Sequence, residues 1–155
     1  MQNPAGSTSG GGTGTTKTYY GAYIRLITNK APVLTCSDSN DLFTPSGSTK
    51  GNKKLSKPIG LITADEVAYA GGVYGTNNTS YYLYNNQYYW TMSPSDYYNS
   101  YGAYVFSVYS NGGLSNDYYG VSNTSPGVRP VINLKADTVF DEGGAGTSSN
   151  PYVVS

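Results

Sequence analysis

The sequence contains no histidine and only one cysteine, Cys36, among its 155 residues. Histidine is the commonest protein ligand for metals and the side chain that most often titrates near neutral pH. Its absence excludes a Ser–His–Asp triad and a Cys–His pair. A single cysteine excludes a disulfide within the chain. The sequence therefore predicts no catalytic residues, no metal ligands and no cofactor.

Charged side chains are also scarce, at 12% of the residues against a usual value of about 25%. The net charge is zero, and no lysine or arginine lies between Lys57 and Arg129. Binding to nucleic acid requires basic groups that displace counterions from phosphates. No run approaches the roughly 20 apolar residues of a membrane span. We therefore expect neither nucleic-acid binding nor direct membrane insertion.

Tyrosine is abundant instead, with 18 residues that include Tyr-Tyr pairs at 19–20, 81–82, 88–89, 97–98 and 118–119. Most of these pairs are surrounded by Asn, Ser, Gly and Asp. Tyrosine supplies a large contact area with few torsions to immobilise, and Ser, Gly and Asn supply adaptable hydrogen bonds. A buried core would draw on Leu, Ile, Val and Phe. This composition is typical of a surface that binds a partner.

Residues 1–17 are rich in Gly, Ser and Thr and are interpreted as a flexible linker or leader, which implies a larger protein on the N-terminal side. Residues 18–155 have the length of one domain. One helix is predicted at residues 64–70. Thr63 and Glu66 have the spacing of a capping box.

Short strands separated by turns are expected over the rest of the domain. The clearest is at residues 102–109, with Phe106 and Val108 facing inward and Tyr109 exposed. Trp90, together with Met92, is expected to anchor the core. Further strands are predicted at residues 19–27, 31–36, 81–84, 88–92, 120–123, 127–134 and 151–154, with turns at 85–86, 93–96 and 111–113. The predicted class is α+β with a twisted antiparallel sheet, few short helices and long loops.

Three motifs in order resemble those of formylglycine-generating-enzyme-like domains. Residues 60–71 are similar to the segment in which a short strand precedes a capped helix. Residues 89–95 are similar to a Trp-x-x-Ser-Pro motif. Residues 127–131, Gly-Val-Arg-Pro-Val, resemble the strand that ends such domains. The resemblance covers about residues 19–154.

This resemblance implies a C-type-lectin-like fold, as in bacterial surface and pilin-linked modules and in the variable proteins of diversity-generating retroelements. In the retroelement systems, mutated adenines convert Asn codons to Tyr, Ser, Asp, Gly and Thr codons at exposed sites. Residues 97–101 and 115–119 have this composition, which would make them hypervariable. Ordinary Tyr-rich surface proteins have it too, so both interpretations stay open.

The predicted ligand-binding residues lie mainly on loops, where a rigid scaffold presents binding side chains. The rival interpretation is that these tyrosines cover the sheet as half-buried side chains. The predicted set is Tyr97, Tyr98, Asn99, Tyr101, Tyr109, Asn111, Asn116, Asp117, Tyr118 and Tyr119.

The expected function is non-catalytic recognition by an adhesin-like or receptor-like domain at the bacterial cell surface or outside the cell, with a phage particle as the alternative. The ligand would be a protein or glycan on another cell or surface. The alternatives are a carbohydrate-binding module and a self-assembling structural surface subunit. Calcium is used by many lectin-like folds, but it needs six or more oxygen ligands. The densest oxygen cluster, residues 38–41, is interpreted as a turn.

Overall fold

The structure, a computed structural model, describes residues 2–9, 18–35, 56–57, 59–98, 102–116, 120–134, 137–147 and 149–154. The described elements, in chain order, are β1 (Gln2–Ser9), β2 (Thr18–Tyr20), α1 (Gly21–Tyr23), a π-helix (Ile24–Thr28), β3 (Gly60–Leu61), α2 (Ala64–Tyr69), β4 (Tyr89–Tyr98), β5 (Gly102–Val108), β6 (Leu114–Ser115) and β7 (Pro130–Val131).

The fold is α+β, with antiparallel sheets and few short helices, as the sequence predicts. The largest described sheet has the strand order β4-β5-β6. Strands β3 and β7 form a second, two-stranded sheet. Strand β1, inside the segment interpreted as a linker, pairs with β2 across an irregular register.

Helix α2 has the predicted N-terminus. The Thr63 hydroxyl accepts a hydrogen bond from the Glu66 backbone N–H, and the Glu66 carboxylate accepts one from the Thr63 backbone N–H at 2.7 Å. These two bonds satisfy donors that the first turn of a helix leaves open. Val67, on the inward side, is fully buried. The prediction of this helix is confirmed.

The predicted strand at residues 19–27 is wrong over most of its length, because the chain becomes helical after Tyr20. Ala22 and Leu26, four residues apart, are both buried and lie on one helical face. The helix then widens into the π-helix, at whose end the Asn29 backbone N–H donates to the Ile24 carbonyl. The β-branched and aromatic residues suggested a strand, but burial of this face decides the local structure. Residues 31–35 form no strand either.

An ion pair connects this helical segment to α2. The Arg25 guanidinium donates to both carboxylate oxygens of Asp65, each at 2.8 Å, and Asp65 is 3% exposed. The same carboxylate accepts the backbone N–H of Val33 at 2.9 Å. The planar guanidinium matches the carboxylate in this bidentate geometry. A single carboxylate thus holds three chain segments together.

Residues 93–96 are part of strand β4, so the predicted turn there is wrong. Trp90 pairs with Ser107, whereas Pro94 pairs with Val105, and the register shifts on both sides of Pro94. Proline lacks a backbone N–H and is tolerated inside a sheet at such bulges. The Ser-Pro sequence therefore marks an irregularity within the strand.

Buried hydroxyl groups occupy alternate positions of β4, at Thr91, Ser93 and Ser95. We call these three residues the hydroxyl row. Thr91 donates to the Phe106 carbonyl at 2.7 Å, and Ser95 donates to the Asn116 carbonyl at 2.9 Å. Ser93 accepts the N–H of Ala64, the first residue of α2, at 2.9 Å. The hydroxyl row thus binds β4 to three other parts of the chain.

The core lies on one face of the large sheet. Phe106, Val108 and Leu114 are at most 1% exposed, which confirms the predicted inner face of β5. Tyr89 joins them at 2% exposure, together with Tyr81. Trp90 and Met92 are only half-buried, so the expectation that Trp90 anchors the core is wrong. The alternation along β4 places Tyr89 inward and therefore turns Trp90 to the other face.

The remaining predicted strands are shorter than expected or absent. Residues 81–84 form a turn, and residues 120–123 contain one bridge residue followed by a turn. Of residues 127–134, the strand comprises only Pro130–Val131. Residues 151–154 contribute a single bridge, between Val154 and Phe140. Few backbone pairs form here, although the composition favours strands.

The hydroxyl row predicts a specific cost for removing one hydroxyl. Ser93→Ala leaves the Ala64 N–H buried without its acceptor and should lower the free energy of unfolding by about 1–3 kcal/mol. The measurement is urea denaturation followed by circular dichroism. Ser80→Ala, at an exposed position, is the matched control and should change stability by less than about 0.5 kcal/mol. Equal stabilities of the two variants would contradict the assigned role of Ser93.

Candidate functional site

The second face of the large sheet carries aromatic side chains. Trp90 lies on this side of β4, Tyr88 directly precedes β4, and Tyr109 directly follows β5. All three are half-buried. We call this set the aromatic face. Its position follows from alternation along the strands, because Tyr89 and Val108, their neighbours in sequence, point into the core.

Direct contacts fix the rings of the aromatic face. Tyr88 stacks on Tyr109 with ring centroids 5.1 Å apart and meets Trp90 edge-on at 6.3 Å. The Tyr88 and Ser107 hydroxyls share a hydrogen bond of 3.0 Å. Ser107 is 1% exposed, so these rings cover a polar rather than an aliphatic layer. The result is an aromatic surface whose rings are held in place before any ligand arrives.

A cleft of about 370 Å³ adjoins this face, and Tyr109 belongs to both. We call it the tyrosine cleft. It has the size of small-molecule sites, which range over roughly 300–1,000 Å³. None of its lining residues that the structure describes carries a charge. These residues are Tyr74, Gly75, Thr76, Asn77, Tyr109, Asn111, Gly113, Leu114 and Ser115.

The two tyrosines of the cleft are held by their hydroxyl groups. The Tyr74 hydroxyl donates to Oδ1 of Asn116 at 2.8 Å. The Ser115 hydroxyl donates to the Tyr109 hydroxyl at 3.1 Å. Tyr74 also pairs with Leu114 beside β6. Strand β6 and the residue that follows it thus position both rings.

A tight turn at residues 109–113 shapes the cleft. The Gly112 N–H donates to the Tyr109 carbonyl at 2.8 Å, and the Asn78 N–H donates to the Asn111 carbonyl at 3.1 Å. Gly112 has a φ of +80°, and a Cβ atom there would lie 1.7 Å from the Asn78 carbonyl oxygen. Only glycine fits this backbone and this close approach. The predicted turn at 111–113 is confirmed.

Arg129 contacts a core ring and a neighbouring turn. Its guanidinium lies 5.2 Å from the centre of the Tyr89 ring and donates to the Leu83 carbonyl. The first contact is a cation–π interaction, and the second holds the turn at residues 81–84.

Two core tyrosines carry buried hydroxyls, Tyr81 and Tyr89. Neither hydroxyl forms a hydrogen bond to any residue that the structure describes. Burial, together with the nearby Tyr89 hydroxyl, raises the pKa of Tyr81 above its ordinary value, and Arg129 lowers it to a smaller extent.

The structure brings together only some of the predicted ligand-binding residues. Tyr109 and Asn111 both line the tyrosine cleft. Asn116 is 8% exposed, and its side chain holds Tyr74. Tyr97 and Tyr98 are in β4 at its far end, opposite Ala103 and Gly102. The other predicted residues, Asn99, Tyr101, Asp117, Tyr118 and Tyr119, lie outside the described residues.

The length of β4 separates the two predicted groups. Tyr98 lies at one end of this strand and Tyr89 at the other, where the aromatic face begins. At about 3.3 Å per residue, the two ends are roughly 25–30 Å apart. The backbone positions of Tyr97 and Tyr98 are therefore far from that of Tyr109. Tyr74 and Asn77, which also line the cleft, were missed because nothing local in the sequence links residues 74–77 to residues 109–115.

Other functional elements are few within the described ranges. No three His, Cys, Asp or Glu side chains there come together as a metal site would require. The oxygen-rich segment 38–41 and Cys36 lie outside these ranges. None of the helices in the described part of the chain has the length and apolar character needed to cross a bilayer.

The Tyr81 hydroxyl predicts a pH-dependent stability. Above about pH 10 an unfolded tyrosine loses its proton, whereas folded Tyr81 retains it, so the free energy of unfolding should fall as pH rises. In Tyr81→Phe the decline should be shallower by up to about 1.4 kcal/mol per pH unit. Near pH 7 this variant should be as stable as the wild type or more so, because a buried unpaired hydroxyl is removed.

The measurement is urea denaturation at several pH values between neutral and alkaline. Tyr82 is 75% exposed, so Tyr82→Phe is the matched control. In this variant the free energy of unfolding should depend on pH with the wild-type slope. Identical slopes for Tyr81→Phe and the wild type would show that the Tyr81 hydroxyl is not buried as described.

Comparison with known proteins found no relative of this chain. No protein-family model, no curated protein and no solved structure matches the chain. The aromatic face and the tyrosine cleft are therefore the features from which we infer function.

Proposed function

We propose that the chain is a non-catalytic recognition domain of C-type-lectin-like fold, displayed at the bacterial cell surface or outside the cell, that binds a protein or glycan ligand. The main support is the aromatic face beside the tyrosine cleft. Tyrosine and tryptophan are enriched where proteins bind partners, because they bury large area at low entropic cost. The three ordered motifs at residues 60–71, 89–95 and 127–131 support the assignment of the fold.

The surface chemistry favours recognition of a neutral partner. The described part of the cleft combines aromatic rings with amide and hydroxyl groups and has no charge. Such a surface gains affinity from ring burial and direct hydrogen bonds, and it makes little use of long-range steering. The predicted tyrosines near the far end of β4 would supply a second contact region for an extended ligand.

A second candidate function, structural self-assembly, is favoured by exposed apolar residues around β7. Val128, Ile132 and Leu134 are 70%, 63% and 47% exposed. Exposed apolar side chains can mark an interface where they adjoin one another on the surface. This alternative predicts association that rises with protein concentration and is abolished by Ile132→Asp. Light scattering at two concentrations is the measurement, and a constant mass would count against self-assembly.

Recognition is tested by binding screens with the wild-type chain and two multiple variants. The probes are a glycan array and a displayed peptide library. The first variant replaces Tyr98, Tyr101, Tyr118 and Tyr119 with Ala, and the second combines Trp90→Ala with Tyr109→Ala. We expect the wild type to bind at least one probe saturably and at least one variant to lose that binding. The melting temperature of each variant should show that it is still folded.

The double variant Tyr69→Ala and Tyr82→Ala is the matched control. Both residues are more than half exposed, at 58% and 75%, and neither lines the cleft. This variant should bind as the wild type does. The proposal fails if the wild type binds no probe on either screen. It also fails if the control loses binding as fully as the two site variants.

A further inference from the structure

Building on the proposed recognition function, we infer that the tyrosine cleft binds one neutral saccharide unit without a metal ion. The volume of about 370 Å³ is at the small end of the range for ligand sites. This size suits a single sugar ring or the terminal residue of a glycan. It is too small for a folded protein surface, which contacts far more area.

The lining chemistry matches a polyhydroxyl ligand. Tyr74 and Tyr109 provide aromatic rings, whose electron-rich faces attract the polarised C–H groups of a sugar ring. Asn77 and Asn111 carry both donors and acceptors in their amides, and Thr76 and Ser115 carry hydroxyls. Sugar hydroxyls also donate and accept, so the two sets are complementary.

The described lining of the cleft favours a neutral ligand over a charged one. A phosphate, a carboxylate or an ammonium group would lose hydration in the cleft without a counter-charge among its described lining residues. Nucleotides, acidic peptides and basic peptides are therefore disfavoured. A neutral sugar has no such cost, because its hydroxyl groups can exchange bonds to water for bonds to amides and hydroxyls.

The cleft is arranged before the ligand binds. Tyr74 is held by Asn116 and Tyr109 by Ser115, while the stacked Tyr88 ring fixes the outer side of Tyr109. Gly112 fixes the turn against residue 78. Binding therefore orders few side chains, which reduces its entropic cost. Because Tyr109 is shared with the aromatic face, a longer glycan can continue from the cleft over Tyr88.

The test is isothermal titration calorimetry of the full chain with glucose, galactose, mannose and N-acetylglucosamine, and with glucuronic acid as a charged comparator. We expect at least one neutral sugar to bind with a Kd on the order of 1 mM. Glucuronic acid should bind at least about tenfold more weakly, because its carboxylate has no partner in the cleft. Addition of EDTA should leave the affinity unchanged.

Variants assign binding to the cleft. Tyr109→Ala should weaken sugar binding by at least about tenfold. Asn77→Ala should weaken sugar binding roughly fivefold. Because the Asn77 side chain is exposed, this substitution should leave the chain folded. Tyr82→Ala, outside the cleft, is the matched control and should retain the wild-type Kd.

Any of four results would overturn the inference, and the first three are these: no neutral sugar binds at tens of millimolar, glucuronic acid binds as well as the neutral sugars, or Asn77→Ala and Tyr109→Ala both retain the wild-type Kd. Binding that EDTA abolishes would also overturn it. The broader recognition function is tested separately. If the chain binds displayed peptides but no sugar, the recognition function stands and the saccharide inference is wrong.

Discussion

The hydroxyl row of β4 is the constraint on which the rest of the structure depends. Thr91, Ser93 and Ser95 are buried, and each bonds a backbone group of a different segment. A buried hydroxyl without a partner is costly, so the three bonds hold β5, the start of α2 and the residue after β6 at fixed positions relative to β4. Once these positions are set, both faces of the sheet follow.

Tyrosine has two roles in this molecule, and for the pair at residues 88–89 the alternation of side chains assigns them. Tyr89 and Tyr81 lie in the core, where they join aliphatic side chains and Phe106. Tyr88 and Tyr109 stand on the opposite face and stack on each other. Adjacent residues of a strand point to opposite faces, so a Tyr-Tyr pair necessarily supplies one ring to each side. The pair at 88–89 thereby links the core directly to the candidate binding surface.

The polar layer beneath the aromatic face explains why that face suits recognition. Ser107 and Ser115 are buried next to Tyr88 and Tyr109 and hold their hydroxyls. Rings fixed by hydrogen bonds lose little freedom when a ligand binds. The same bonds connect the cleft to the large sheet, whose opposite side is the core. A rigid, aromatic concavity, uncharged among the lining residues that the structure describes, is the chemical basis of both proposals.

The sequence by itself determined the features that depend on near neighbours. Thr63 and Glu66 specify the start of α2, and Gly112 specifies the turn after β5, because each acts through bonds within a few residues. The strand through Pro94 and the helix after Tyr20 were decided by tertiary structure. Their backbone conformations are stabilised by partners such as Ala64, Asn116 and Asp65, which are distant in sequence. The cleft was likewise decided by tertiary structure, since residues 74–77 and 109–115 meet only when β6 joins the sheet.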